Sequence, residues 1–152
     1  MPTPELAPRM IEFSQRIRRL LAESVYRIIA ERQLTFRDLE ILETIGCNPL
    51  PFREVAGVLQ RALIPPPSTS TISESITELA RKHGLVEKRV YPADQRQPLI
   101  SLTGDGARLL EAVAQARQAI YDQVARALAP TDNEAFLLAG IFARGIDRLK
   151  RS

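Results

Sequence analysis

Tryptophan is absent, aromatic residues make up only 5% of the chain, and there is one cysteine and one histidine. So few aromatics argue against a β-sandwich and for a core of Leu, Ile, Val and Ala set on helical periods. A single cysteine excludes an internal disulfide and fits a reducing cytoplasm, the expected location. A single histidine excludes, within one chain, any metal site that needs a histidine pair. No Gly-x-Gly-x-x-Gly or Walker loop is present, and Thr103-Gly104-Asp105-Gly106 reads as a helix start rather than a nucleotide cradle. The longest nearly unbroken apolar run, Leu137 to Ala143, is far too short to span a bilayer. Met1-Pro2-Thr3-Pro4-Glu5-Leu6 lacks a basic start followed by an apolar segment, so nothing there suggests secretion. A Ser-His-Asp set would need His83, which falls in a last helical turn beside Lys82, where a cation complements the backbone dipole. No catalytic constellation emerges, and an enzyme is not expected.

What the chain does contain is ordinary in amount and telling in placement. Its 152 residues suit one domain, residues 1–152, able to bury about two-thirds of its unfolded surface. The formal net charge is only +3. Between Arg81 and Arg96, however, five basic residues face two acidic ones, so this stretch holds the whole excess. Eighteen of the 21 basic residues are arginine, the better fork for phosphate and guanine.

Residues 4–30 read as one long helix, with Leu6, Met10, Phe13, Ile17, Leu20 or Leu21, Val25 and Ile28 spaced by about three and four. That stripe is longer than a small domain can cover, and a partner subunit is the economical answer. Thr35 with Asp38 forms a capping-box pattern opening a second helix, whose buried face is Phe36, Leu39, Leu42 and Ile45, with Ile41 on the flank. Gly46 stops it, and Cys47-Asn48-Pro49-Leu50-Pro51 reads as a loop. A third helix, Phe52 to roughly Arg61, presents Phe52, Val55, Val58 and Leu59 and places Arg53 at its start. The connection from Ala62 to Ser68 carries three prolines and is longer than a compact helix-turn-helix allows. It reads as an insertion within one domain, since the apolar seam resumes at Ile72, or as a linker.

From Thr69 to His83, Ile72, Ile76 and Leu79 recur at i, i+4 and i+7, while Ser70, Thr71, Ser73, Ser75 and Thr77 supply hydroxyls elsewhere. Two β-prone runs, Leu85 to Tyr91 and Leu99 to Leu102, flank a charged, proline-bounded tip, Pro92-Ala93-Asp94-Gln95-Arg96. Helix, strand, basic loop, strand is the layout of a winged helix. Thr103 then caps a helix striped by Leu109, Leu110, Val113, Ala116, Ile120, Val124 and Leu128. Thr131 with Glu134 opens the last helix, with Phe136, Leu137, Ile141, Phe142, Ile146 and Leu149. The expected fold class is mainly α: a winged helix-turn-helix of three helices and a two-stranded wing over 34–103, with terminal dimerisation helices at 4–30 and 104–152.

Pro92-x-Asp94-x-Arg96 on the wing, then Leu102-Thr103-x-x-Gly106, with Gly84-Leu85-Val86 before them, resembles the MarR family of bacterial regulators. The resemblance implies an obligate homodimer that clamps a pseudo-palindromic double-stranded DNA operator, with the helix from about Thr69 to His83 in the major groove. It implies that Arg96 reaches the minor groove from the wing tip while Asp94 braces the wing. It also implies release of DNA by small aromatic acids, metals or oxidation, without identifying the effector; no resident cofactor is expected. The DNA-contacting candidates are Arg53, Thr69, Ser70, Thr71, Ser73, Glu74, Thr77, Lys88, Arg89, Gln95 and Arg96. The hydroxyls either touch phosphate and base edges or serve as caps and solubilising groups. Glu74 either accepts from a cytosine amine or belongs to an outward salt bridge. Cys47 reads either as a structural thiol or, as in some relatives of that family, as an oxidation sensor; the first is favoured because no cation lies nearer in sequence than Arg53 to activate it. The acids Glu74 and Glu78 also keep open a winged helix that serves as a protein-interaction adaptor.

Overall fold

The computed structural model describes residues 4–151, so the expectations for Met1-Pro2-Thr3 lie outside the described residues. Six helices and three short strands follow one another there: α1 (Leu6–Glu31), α2 (Phe36–Ile45), β1 (Leu50–Pro51), α3 (Phe52–Ala62), α4 (Thr69–Arg81), β2 (Val86–Val90), β3 (Pro98–Leu102), α5 (Gly104–Leu128) and α6 (Asp132–Lys150). They divide into two compact units, one from Val25 to Gln115, the other built from the two ends of the chain, up to Ser24 and from Ala116 onward.

The Val25–Gln115 unit holds every buried apolar side chain among the described residues. Its heart is Ile41, Leu42, Val55, Leu59, Ile72, Ile76, Leu79 and Ile100, each 0 or 1% exposed. Full burial of a Leu or Ile contributes about 1.5–3 kcal/mol, so these contacts anchor α2, α3, α4 and the sheet together. The Ile72/Ile76/Leu79 stripe fixes α4 in rotation. With that face inward, the hydroxyl-bearing positions Thr69, Ser70 and Ser73 turn outward and are exposed.

Local signals account for most of the element ends. The Thr35 side chain accepts from the Asp38 amide at 3.2 Å while the Asp38 carboxylate accepts from the Thr35 amide at 2.8 Å, a complete capping box. Thr131 and Glu134 form the same reciprocal pair at the start of α6. Gly46 ends α2 at φ +59°, and Gly84 turns the chain after α4 at φ +63°, where a side chain would be strained. At the end of α1, Leu34 N donates to Ile29 O at 2.9 Å and Gln33 N to Ala30 O at 3.0 Å, a Schellman turn. Its left-handed position is filled by Gln33, at φ +58°. Gln33→Gly should therefore raise stability by about 1 kcal/mol, measured by urea unfolding of the two proteins side by side.

Four details differ from the sequence reading. Leu50 and Pro51 are not loop: they pair antiparallel with Ile100 and Leu99, giving a three-stranded sheet in the order β1-β3-β2. Pro51 is tolerated because an edge strand leaves its missing N–H facing no partner. In α2, Ile41 is buried and Phe36 is 48% exposed, since Phe36 is the first helical residue and lies beyond the core, stacked on Tyr26 at 6.3 Å. Val58 is 39% exposed, one position off the stripe that Val55 and Leu59 keep. Ile29 rather than Ile28 is the fully buried residue of its turn. The proline-rich connection joins two helices of the same unit, with a cis Ile64–Pro65 bond and Ile64 fully in solvent. Gln60 ties it down, its side-chain amide donating to Pro67 O at 3.3 Å.

The wing is locked to α5 at its root. Thr103 donates its hydroxyl to Gly84 O at 2.6 Å, accepts from the Gly106 amide at 3.1 Å, and donates its own amide to Leu85 O at 3.0 Å. Gly106 lies directly against the Leu85 carbonyl, leaving no space for a Cβ. The Thr103-x-x-Gly106 pattern thus has a mechanical meaning: a cap, and a close approach that only glycine permits.

The terminal unit is of a different character. None of its described residues is buried, and on α6 the apolar stripe lies open, with Phe136 79%, Leu137 57%, Ile141 55% and Phe142 52% exposed. An apolar cavity of about 430 Å³ in this unit is lined by Phe13, Ile17, Tyr121, Val124, Leu128 and Phe142 among others. No helix among the described residues is long and apolar enough to cross a membrane.

Candidate nucleic-acid interface

Helix α4 is positioned by its apolar stripe and opened by Ser68, whose hydroxyl accepts from the Thr71 amide at 3.2 Å. That cap is a residue the sequence reading passed over, although a serine just before the apolar seam is a standard start signal. Ser68 Oγ also lies 2.8 Å from Thr71 Oγ1 and 3.1 Å from Ser70 Oγ, so the first-turn hydroxyls form one small network. Thr69 Oγ1 accepts from the Gln60 amide at 3.4 Å. Ser73 and Glu74 are exposed, and Glu74 and Glu78 take part in no ion pair among the described residues. Thr77 is half-buried; it donates to Ser73 O at 2.9 Å and accepts from Lys88 Nζ at 2.7 Å.

Lys88 and Arg89 are neighbours in sequence but leave β2 on opposite faces, as alternation along a strand requires. Lys88 reaches α4. Arg89 turns to Glu87 at 2.7 Å, and Glu87 also accepts from Ser101, its cross-strand partner, at 3.4 Å. The structure therefore does not gather the two cations into one patch. Glu87 and Arg89 line a groove of about 560 Å³ with Ser101, Leu102 and the exposed Cys47.

The turn between β2 and β3 carries Gln95 and Arg96, both exposed. Asp94 organises it: its carboxylate accepts from the Arg96 amide at 3.0 Å and from the Gln97 side chain at 3.4 Å, while its amide donates to Tyr91 O at 3.2 Å. Gln97, absent from the sequence-based candidates, also accepts from the Arg53 amide at 3.3 Å. Nothing in the sequence announces a contact between residues so far apart. Arg53 itself stands exposed in the first turn of α3, beside a cleft of about 390 Å³ lined also by Gln60, Thr69 and Gln97. His83 is half-buried after α4, and no group of three or more His, Cys, Asp or Glu side chains among the described residues could hold a metal ion.

No family model matches the sequence, and no curated protein sequence matches it. Solved structures do. The transcriptional regulator Tm0710 from Thermotoga maritima superposes with a TM-score of 0.72 at 16% identity, over 95% of this chain and 96% of that one. The YusO protein from Bacillus subtilis gives 0.70 at 22% identity, over 95% and 98%. A mutant of MarR from E. coli gives 0.63 at 22% identity, over 96% and 98%. These likenesses span nearly the whole of each chain, at identities that speak for fold alone: this chain has the winged-helix fold, with long terminal helices, of the MarR-type regulators.

Proposed function

We propose that this chain is a homodimeric, sequence-specific DNA-binding transcriptional regulator of the MarR type, a cytoplasmic repressor released by a small-molecule effector. The observation that carries the reading is α4: its apolar stripe is sealed in the core while Thr69, Ser70 and Ser73 face solvent on a helix whose fold-mates include a transcriptional regulator. Short hydroxyls let a helix backbone come close to a groove and can bond phosphate or base edges. The exposed Arg96 on the wing supplies attraction for a narrow minor groove. Arg53, Thr71, Glu74, Thr77, Lys88, Arg89 and Gln95 complete the proposed contact set, with residues 34–103 as the DNA module.

The terminal unit supports the homodimer. An apolar stripe as long as that of α6, left open along its length, is far more than a soluble monomer ordinarily leaves in water. Residues 4–30 and 104–152 of a second copy are the proposed cover. Two copies would set two α4 helices about 34–36 Å apart, one turn of the duplex. An effector that favours another spacing lowers DNA affinity by population shift.

Arg96→Ala should weaken binding to duplex DNA by about 1–3 kcal/mol, read by fluorescence anisotropy at fixed salt. Unchanged affinity would remove Arg96 from the interface. Glu74 and Glu78, exposed and in no ion pair among the described residues, favour a second reading, a protein-interaction adaptor. That reading gains if the wild-type chain shows only weak, salt-insensitive binding to DNA.

A further inference from the structure

We infer that Gln97 is a positioning residue that couples the wing tip to the start of α3, so that Arg96 and Arg53 are presented to DNA as one rigid piece. The inference rests on the DNA-binding reading for its consequence, and on the following geometry for its substance. Helix α3 begins after Pro51, which supplies no side-chain cap, so its first amides lack the usual local acceptor. The acceptor comes instead from the wing: Gln97 Oε1 receives the Arg53 N–H at 3.3 Å, across 44 residues of sequence. The other end of the same amide donates to Asp94 Oδ2 at 3.4 Å, and Asp94 Oδ1 receives the Arg96 N–H at 3.0 Å. One side chain thus closes a path Arg53 N–H, Gln97, Asp94, Arg96 N–H.

The bridge needs a side chain that both accepts and donates, as the Gln97 amide does. A carboxylate at position 97 accepts from Arg53 but has no proton for Asp94, and an apolar side chain does neither. Gln97 is half-buried at the base of the turn, where its two ends are held apart in fixed directions. Gln95 and Arg96, by contrast, are exposed at the tip. Without the Gln97 bridge Asp94 loses the donor that holds its carboxylate in place, so its bond to the Arg96 N–H opens more often and the turn loses its register against α3. Arg96 then samples more positions, and binding carries a larger ordering cost.

The test separates bracing from DNA contact. Amide hydrogen exchange is measured for wild type, Gln97→Leu and Gln97→Glu, without DNA. Gln97→Leu should speed exchange at both Arg53 and Arg96. Gln97→Glu should keep Arg53 protected and expose Arg96. Binding to a random-sequence duplex of about 30 base pairs, long enough for two recognition helices, is then followed against salt. Gln97→Leu should bind about three- to tenfold more weakly, the scale of one or two lost hydrogen bonds, with an unchanged salt slope. Arg96→Ala should lower the slope by about two for the homodimer, one for each positive charge removed from the two wings. Unaltered Arg96 exchange in Gln97→Leu overturns the inference, as does a salt slope that falls with it. If exchange changes as expected but the wild-type chain binds no duplex, the coupling stands and the DNA-binding reading falls.

Discussion

Ile141→Glu should turn the protein into a monomer and lower its affinity for duplex DNA by about a hundredfold or more, the avidity lost when one of two linked modules is removed. Ile141 sits at the middle of the open stripe of α6, between Leu137 on one turn and Gly145 on the next, and is 55% exposed in the single chain. In a monomer a glutamate there costs almost nothing, because the site is already wet. In a homodimer that covers the stripe, the same carboxylate is buried without a partner, at a cost of several kcal/mol for each copy. The substitution therefore discriminates between a free helix and an interface. Sedimentation equilibrium gives the oligomeric state, and anisotropy with labelled duplex gives the affinity. The Val25–Gln115 unit has its own core, so its amide spectrum should stay dispersed in the variant. A variant that remains dimeric would place the interface on some other face.

Gly106→Ala should destabilise the protein by about 3 kcal/mol, at the upper end of what one added carbon costs in a close-packed site. A Cβ at this position would overlap the Leu85 carbonyl oxygen and come within 3.2 Å of the Leu85 carbonyl carbon and 3.3 Å of Leu102 Cδ2. None of these can step aside easily. Leu85 O already accepts from Thr103 N at 3.0 Å, and Leu85 is 1% exposed. For a chain of this size the loss corresponds to a fall in melting temperature of about 6–12 °C. Gly57→Ala is the matched control. It lies inside α3, where a Cβ would meet only the end of the Arg61 side chain at 3.4 Å, so better helix propensity should raise stability by up to about 1 kcal/mol. Equal effects from the two substitutions would mean that the tight approach of α5 to the wing root is not a constraint on folding.

The contrast between these two glycines also shows where the sequence speaks and where it is silent. Both are followed by helix-compatible residues, and only the turn Thr103-Gly104-Asp105-Gly106 hints that one has a special place. Elements whose cause is local were legible. The capping boxes at Thr35 and Thr131 mark real helix starts, and the Ile72/Ile76/Leu79 period marks the buried side of α4. Two residues of β1 were not legible, because a strand that short has no period to read and includes a proline. Helical spacing puts Phe36 on the buried face with Leu39, Leu42 and Ile45, and its place at the helix start decides otherwise.

The candidate site divides in the same way. That α4 would turn Thr69, Ser70 and Ser73 to solvent follows from the opposite stripe, so those positions could be named in advance. Their partners could not. Lys88 with Thr77, Arg89 with Glu87, and Gln97 with Arg53 are contacts that depend on how strands and helices meet. Each of these side chains carries a charge, an amide or a hydroxyl that the sequence alone assigns to solvent or DNA by default. Three-dimensional packing assigns some of them to one another first.

The decisive measurement is how binding of the wild-type protein to random-sequence duplex depends on salt. A homodimer holding two α4 helices and two wings on DNA should lose affinity steeply as salt rises, with log K falling by about 0.9 per unit log salt for each phosphate neutralised, and with two chains bound per site. A flat dependence, or one chain per duplex at every concentration, would contradict it.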